Sequence, residues 1–243
     1  MEKVGYKRIW GPLLISMLLS APVSSQESTL TPFSQMQSLN DGWEPLEFPK
    51  IDQLSRYELT TEDGQQVVRA TTDGGASGLI ARVRLEPTDS LILQWRWKVS
   101  NVFENGDARE KSGDDSPARI YVAFEFQPEK AGFFERAKRK TVEVLFGESL
   151  PGNALNYIWA NTLPKGEIVP NPYTEKTMMI AVNSGSEQVG EWVTVERDIM
   201  ADYREAFGEE PPPVVGIAIM SDSDNTGEKA TAWYGDILLN PDS

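Results

Sequence analysis

The 243-residue chain contains no histidine and no cysteine. Without histidine it lacks the commonest general base and the commonest metal ligand, and a Ser-His-Asp arrangement is excluded. Without cysteine it has neither a thiol nucleophile nor a disulfide. Any catalysis would depend on carboxylates, lysine, tyrosine, serine or threonine. Any metal would have oxygen ligands, which favours calcium, magnesium or manganese over zinc.

Positive charge is also scarce, because 23 Lys and Arg residues stand against 37 Asp and Glu, for a net charge of −14. So acidic a chain repels phosphates, which argues against a nucleic-acid partner. The GxSxG elbow, the phosphate loop and the dinucleotide fingerprint are all missing from the sequence. These absences favour binding over chemistry.

The N-terminus has the organisation of a secretory signal. Lys3, Lys7 and Arg8 precede an apolar run over residues 9–19, and small residues follow at 23–25. The apolar run is shorter than the roughly 20 residues that a membrane span needs. We therefore predict a signal peptide over residues 1–25, a periplasmic or secreted mature protein, and no stable membrane span after cleavage.

The rest of the chain predicts one β domain. Short runs rich in β-type residues are separated by turns such as Asp63-Gly64, and residues 91–99 alternate apolar with polar side chains. Trp95 and Trp97 could form a sugar-stacking platform, but their apolar neighbours favour burial.

We expect a flexible segment over residues 26–42 and a single domain over 43–240. The predicted fold is an all-β, jelly-roll-like antiparallel β-sandwich with a short helical insertion over residues 132–147, where apolar residues recur three or four apart. A second short helix is predicted over residues 201–207, closed by Gly208.

Two acidic loops lie beside apolar strands. The first contains Asp114 and Asp115 and leads into a predicted strand that carries Arg119 and Tyr121 on one face. The second, SDSDNTG, follows an apolar strand over residues 214–220. Polar loops on a rigid sheet are where binding groups usually gather, so we expect the two loops to share one rim of the fold.

A calcium site is a second interpretation of the later loop. Asp222, Asp224 and Asn225 resemble the opening of an oxygen-ligand calcium loop, although its twelfth position holds Trp233 instead of glutamate. The alternative is a hairpin loop whose polar side chains cap their own backbone. Asp236 shares a strand face with apolar residues, so we expect it to pair with a buried cation such as Arg197 or to ligate an ion. The candidate metal ligands are Asp222, Asp224 and Asp236.

Several long blocks resemble one bacterial family. They are GDDSPARIYVAFEF, LNYIWAN, NPYTEKTMMIAVNSG, EWVTVERDIMADYREAFGEEPP, VVGIAIMSDSDNTG and AWYGDILL. In this order they are similar to the domain-of-unknown-function family numbered 3047, over nearly all of the mature chain. The resemblance implies no activity and no catalytic residues. The last strand is also similar to the closing strand of jelly-roll carbohydrate-binding modules, in which an acid often helps to hold a structural calcium.

The sequence thus predicts non-catalytic binding of a carbohydrate or another cell-envelope ligand. Hydrogen bonds would come from Asp114, Asp115 and Arg119, and stacking surface from Tyr121 and Trp159. Further polar contacts would come from Asn161, Asp222, Asp224 and Asn225. The alternatives are a carboxylate-dependent glycoside hydrolase or lyase, which needs two acids across one cleft, and a structural envelope protein working through protein contacts.

Overall fold

The computed structural model describes residues 30–48, 51–132 and 152–241. The predicted signal peptide, and the predicted helical insertion after Gly132, lie outside the described residues. Within them no helix is both long and apolar enough to cross a lipid bilayer.

β-strands are the main regular elements of the described chain. In chain order the strands are β1 (Glu44–Leu46), β2 (Arg56–Glu62), β3 (Gln65–Asp73), β4 (Ala76–Leu85), β5 (Leu91–Val99), β6 (Arg119–Phe124), β7 (Ala154–Ala160), β8 (Ile168–Asn171), β9 (Thr174–Ser184), β10 (Val193–Asp198), β11 (Val214–Asp222) and β12 (Lys229–Pro241). The helix α1 (Ile199–Phe207) and two 3-10 turns, Phe33–Gln35 and Lys111–Gly113, complete the list.

Two sheets pack against each other. One has seven strands in the order β1-β4-β11-β6-β7-β9-β8, and the other has five in the order β10-β5-β12-β3-β2. Neighbouring strands are antiparallel except for β7 and β9, which run parallel. The prediction of an all-β, jelly-roll-like antiparallel sandwich is therefore confirmed. The last two strands lie inside the sheets, β11 between β4 and β6 and β12 between β5 and β3.

Aromatic side chains fill the space between the sheets. Strand β5 has the predicted bounds, and its alternation turns Trp95 and Trp97 inward, where both are buried. The Trp97 ring centroid lies 6.0 Å from that of Trp159, and the Trp95 centroid lies 5.3 Å from that of Tyr157. The tryptophan pair is therefore core, as its apolar neighbours indicated.

The packed structure begins upstream of Trp43. We expected residues 26–42 to be flexible, but Phe33 and Met36 are buried, and the Phe33 ring centroid lies 4.9 Å from that of Trp43. The Gln66 amide donates to both carbonyls, Phe33 O at 2.6 Å and Met36 O at 2.7 Å. Leu30 and Leu39 also pack against the core, so apolar side chains hold this segment on the sandwich.

Helix α1 confirms the second predicted helix, with an earlier start. The Asp198 carboxylate caps it by accepting from Met200 N at 3.0 Å and Ala201 N at 3.2 Å, and Gly208 ends it with φ 69°. Its Asp202 takes Arg197 Nε at 2.9 Å. Arg197, the cation that we expected Asp236 to pair with, is therefore held by Asp202, five residues later in the chain.

Candidate functional site

The two acidic loops meet at one end of the seven-stranded sheet. Strands β6 and β11 are antiparallel neighbours, with Arg119 opposite Met220, so the loop before β6 and the loop after β11 emerge side by side. Ser116 N donates to Asp222 Oδ1 at 3.3 Å, directly joining the loops. The expected convergence is found.

Arg119 lies at the centre of the cluster with only 1% of its surface exposed. Its Nε donates to Asp222 Oδ1 at 2.6 Å and its Nη2 to Asp222 Oδ2 at 2.9 Å, a two-pronged pairing. Both Nη1 and Nη2 also lie 3.0 Å from Asp114 Oδ1. Burial opposes the charge of Arg119, but Asp222 and Asp114 outweigh it, and the pKa of the guanidinium is raised.

Asp222 is close to two other carboxylates, those of Asp114 and Asp115, and to one cation, Arg119. Burial raises the pKa of its carboxyl to about 7, because Arg119 lowers it too little to offset burial and the neighbouring Asp115 and Asp114. The group therefore titrates near neutral pH, inside the protein, at the junction of two strands.

Asp115 organises the later loop. Its carboxylate accepts from Thr226 N at 2.6 Å and from Asn225 N at 3.1 Å, and from Asn225 Nδ2 at 3.0 Å. Asp115 thus satisfies backbone donors of the 222–228 loop, so that loop is capped by an acid from a distant segment.

Asn161 fastens the long loop that precedes β6. Its Nδ2 donates to Asp115 O at 2.7 Å, and its Oδ1 accepts from Phe103 N at 2.8 Å. Gly106 leaves room for it, since a Cβ there would lie 2.0 Å from Asn161 Nδ2. Asn161 is buried, so its role is to hold the loop.

A solvent-facing rim surrounds this buried network. The Tyr173 side chain is 57% exposed, and its hydroxyl lies 2.8 Å from Asn225 Oδ1 and 3.0 Å from Lys111 O. Lys111 Nζ lies 5.3 Å from the centre of the Tyr173 ring, and Asp224 is exposed. We call Lys111, Tyr173, Asp224 and Asn225 the Tyr173 rim.

Two residues next to this site, Tyr173 and Asn171, were not among those predicted from the sequence. Asn171 Nδ2 donates to Asp114 Oδ2 at 2.6 Å, while its Oδ1 accepts from Tyr173 N at 3.0 Å. The turn between β8 and β9 is thereby docked on Asp114, with the tyrosine pointing out of it. The signal in the sequence is the Asn-Pro-Tyr turn, in which asparagine commonly bonds to the backbone two residues on.

Negative charge also affects the rim. Partial burial, and then the charge of Asp115, raise the pKa of Asp224. Burial and the charges of Asp114 and Asp224 likewise raise the pKa of Tyr173. The Tyr173 rim therefore presents a neutral phenol and a carboxyl group of raised pKa, above a group of buried aspartates.

Two predicted stacking residues differ in exposure. Trp159 is buried in the core, with its Nε1 donating to Gly185 O at 3.1 Å, so it offers no surface to a ligand. Strand β7 is covered on both faces, and its sequence pattern could not distinguish inner from outer side chains. Tyr121 lies half-buried on the outer face of β6, beside Asn156 of β7.

The predicted metal ligands are only partly together. Oxygens of Asp115, Asp222 and Asp224 lie within 4.8 Å of one another. Asp236 lies apart, accepting from Ser34 N at 2.8 Å and from the Ser34 hydroxyl at 2.7 Å. Both oxygens of Asp222 face Arg119, and both oxygens of Asp115 face amide donors. Calcium takes six to eight oxygen ligands, whereas the cation that the oxygens of Asp222 face in this structure is the Arg119 guanidinium.

The family model described as Protein of unknown function (DUF3047) matches residues 41–238, so the chain belongs to this family. No curated protein sequence matches the chain.

The chain is similar to several solved structures at low sequence identity and low TM-score. The carbohydrate recognition domain of Emp47p is 10% identical with a TM-score of 0.42, covering 90% of this chain and 97% of that one. A family 30 carbohydrate-binding module is 11% identical with a TM-score of 0.35, over 82% and 95%. The enzymatically active domain of tailspike protein 4 of bacteriophage CBA120 is 8% identical with a TM-score of 0.41, over 87% of this chain, which spans only 21% of that one. These similarities concern the fold alone.

Proposed function

We propose that this DUF3047 protein binds a carbohydrate or a related cell-envelope ligand without catalysing a reaction, and that the ligand contacts the Tyr173 rim. The observation that carries the proposal is the exposed ring of Tyr173, fixed through its hydroxyl to Asn225 and to the backbone of Lys111. Aromatic faces suit the C–H side of a pyranose. A ring that is already held in place loses little freedom on binding.

Hydrogen-bonding groups surround this ring. The Asp224 carboxylate accepts hydrogen bonds and the Lys111 ammonium donates them, and both side chains are exposed. The buried network beneath positions Asp224 and Tyr173, because Asp115 holds the backbone of the Asn225 loop and Asp114 holds the turn that carries Tyr173. The predicted site residues thus support the rim, and a ligand would meet the residues above them.

The burial of most of the acidic side chains favours binding over hydrolysis. Glycoside cleavage needs two carboxyl groups, about 5–10 Å apart, on either side of a cleft. Of the four acids in this cluster, Asp114, Asp115 and Asp222 are buried and bonded to protein donors, and only Asp224 is exposed. One accessible acid does not supply an acid and a base.

Export to the periplasm is part of the proposal. It is supported by the signal-like residues 1–25 and by a fold without cysteine, which is independent of the redox state of the compartment. Fractionation of cells that express the full chain tests this, with the mature protein expected in the periplasmic extract. Recovery of uncleaved chain from the cytoplasm would contradict it.

The function is tested on an array of envelope polysaccharides and their oligosaccharides, probed with the mature chain. We expect at least one glycan to bind, with affinity lowered about tenfold by Tyr173→Ala, the scale of one aromatic contact, and lowered less by Tyr173→Phe, which keeps the ring but loses the hydroxyl that fixes it. Leu238→Ala, at a partly exposed position on the other sheet, serves as the control and should bind like the parent. An array without signal above background, or equal binding by Tyr173→Ala, would overturn the proposal.

A further inference from the structure

The outer face of the five-stranded sheet carries a group of aromatic and cationic side chains, away from the Tyr173 rim. Lys98 Nζ lies 5.2 Å from the ring centre of Trp192 and 4.9 Å from that of Trp233, and Arg96 Cζ lies 4.5 Å from the centre of Trp192. These four residues, Arg96, Lys98, Trp192 and Trp233, are called the Trp–Arg face. Both tryptophans are half-buried, so each still presents surface to solvent.

A glycine in the interior of β12 makes room for this arrangement. At Gly235 a Cβ would lie 2.5 Å from Arg96 Cγ and 2.6 Å from Arg96 Nε. The Arg96 side chain therefore passes over β12 at the position where the strand has no side chain. Glycine weakens a strand interior and often marks a close approach. The position of Arg96 therefore depends on the residue at 235.

The turn between β2 and β3 reaches over the same face. Residues 62–65 form a two-residue turn in which Asp63 has φ 51° and Gly64 has φ 80°. Asp63 Oδ2 accepts from Trp192 Nε1 at 2.8 Å and from Lys98 Nζ at 3.3 Å, and Glu62 also pairs with Lys98. The Gln65 amide oxygen accepts from Arg96. We call residues 62–65 the hairpin tip.

We propose that the Trp–Arg face is a second saccharide site, for a pyranose that bears a carboxylate, and that the hairpin tip occupies it with the protein's own carboxylates. An ammonium, an indole N–H and a guanidinium converge there, which are the donors that a carboxylate pairs with most strongly. The Trp233 ring offers the stacking surface for the sugar. The chemistry of the occupant is thus that of a uronate.

The charges of the face agree with this assignment. Among the described residues Arg96 pairs with the neutral Gln65 amide and with no carboxylate, so its charge remains available to an anion. Trp192 Nε1 and Lys98 Nζ both donate to the Asp63 carboxylate, and these hydrogen bonds lower its pKa. The tip and an acidic sugar would therefore compete for the same donors.

Competition between the hairpin tip and an acidic sugar can be measured by calorimetry. Trigalacturonate is titrated calorimetrically into the mature chain and into the Glu62→Gln/Asp63→Asn double variant, with maltotriose as the neutral probe. Removing both tip charges should tighten trigalacturonate binding about tenfold, the scale of two partly exposed ion pairs. Maltotriose should show no such gain. If the tip served only to hold the hairpin, the double variant would bind no better than the parent, which would overturn the proposal.

Two further variants in the double-variant background locate the site. Arg96→Gln removes the free cation, and Gly235→Ala displaces Arg96 without changing any charge, so both should lower trigalacturonate affinity at least about tenfold. Tyr173→Ala should leave it unchanged, which separates this site from the rim. Undiminished binding in both the Arg96 and Gly235 variants, or equal binding of maltotriose, would also overturn the assignment.

Discussion

Arg119 Nε lies 2.6 Å from Asp222 Oδ1, although 103 residues separate them in the chain. The contact joins the start of β6 to the end of β11, and the loops on either side of it support the Tyr173 rim. Both side chains are almost completely buried. The candidate site is therefore built on a charge pair whose partners depend on each other.

Removing the cation should be costly. Arg119→Met leaves Asp222 and Asp114 buried without their counter-charge, and we expect a loss of about 3–5 kcal/mol in the free energy of unfolding. Urea denaturation measures it. Arg69→Met is the matched control, because Arg69 and Glu58 are 43% and 55% exposed, and it should cost about 1 kcal/mol or less. Equal losses in the two variants would show that Arg119 is not the centre of the cluster.

The titration of Asp222 should be visible. Its folded pKa of about 7 lies above the value of about 3.9 expected in the unfolded chain. The folded state therefore holds a proton that the unfolded state has lost, and the contribution of Asp222 to stability is present below about pH 4 and falls as the pH rises to 7. Carbon-13 NMR of the carboxyl group follows the titration directly. The Asp222→Asn variant should lack this fall, and an Asp222 signal that titrates below pH 5 would refute the assignment.

Calcium should not stabilise the protein. Because Arg119 and amide donors already occupy the oxygens of Asp222 and Asp115, an added cation finds too few free ligands. We expect millimolar calcium or a chelator to change the melting temperature by less than about 1 °C, since a ligand stabilises only as far as it binds the folded state. A rise of several degrees with calcium, reversed by the chelator, would restore the metal interpretation.

Gly106 and Asn161 should behave as a coupled pair. Gly106→Ala places a Cβ 2.0 Å from Asn161 Nδ2, so the asparagine must move and lose its bonds to Phe103 and Asp115. We expect a loss of about 1–3 kcal/mol from this overpacking. In the Gly106→Ala/Asn161→Ala double variant the clash is gone, so the two losses should not add. Strict additivity in thermal denaturation would show that the two side chains do not compete for space.

The sequence was informative where its periodicity was simple. Residues 91–99 alternate, and β5 has the predicted bounds and buries Trp95 and Trp97. The helix before Gly208 was predicted from its closing glycine, but its start was placed too late because the cap role of Asp198 was not recognised. Local signals of this kind depend on few neighbours, and these neighbours lie close in the chain.

The exposure of the acidic residues could not be predicted in the same way. Asp114, Asp115 and Asp222 are hydrophilic, so we placed them in contact with a ligand, and only the tertiary structure brings Arg119 and the loop amides that allow them to be buried. Asp236 was expected to meet a cation, and it meets Ser34 from the N-terminal segment instead. The pairs Arg119–Asp222, Asp115–Thr226 and Ser34–Asp236 each join residues more than 100 positions apart in the chain.

The central placement of β11 and β12 affects how the molecule is made. In the sheets, β11 lies between β4 and β6, and β12 lies between β5 and β3. A nascent chain that ends before Val214 has neither β11 nor β12, so these four strands lack a pairing partner. Neither sheet can be completed until β11 and β12 have left the ribosome, and such long-range pairing is slow. The two halves of each sheet therefore come together only at a late stage of folding.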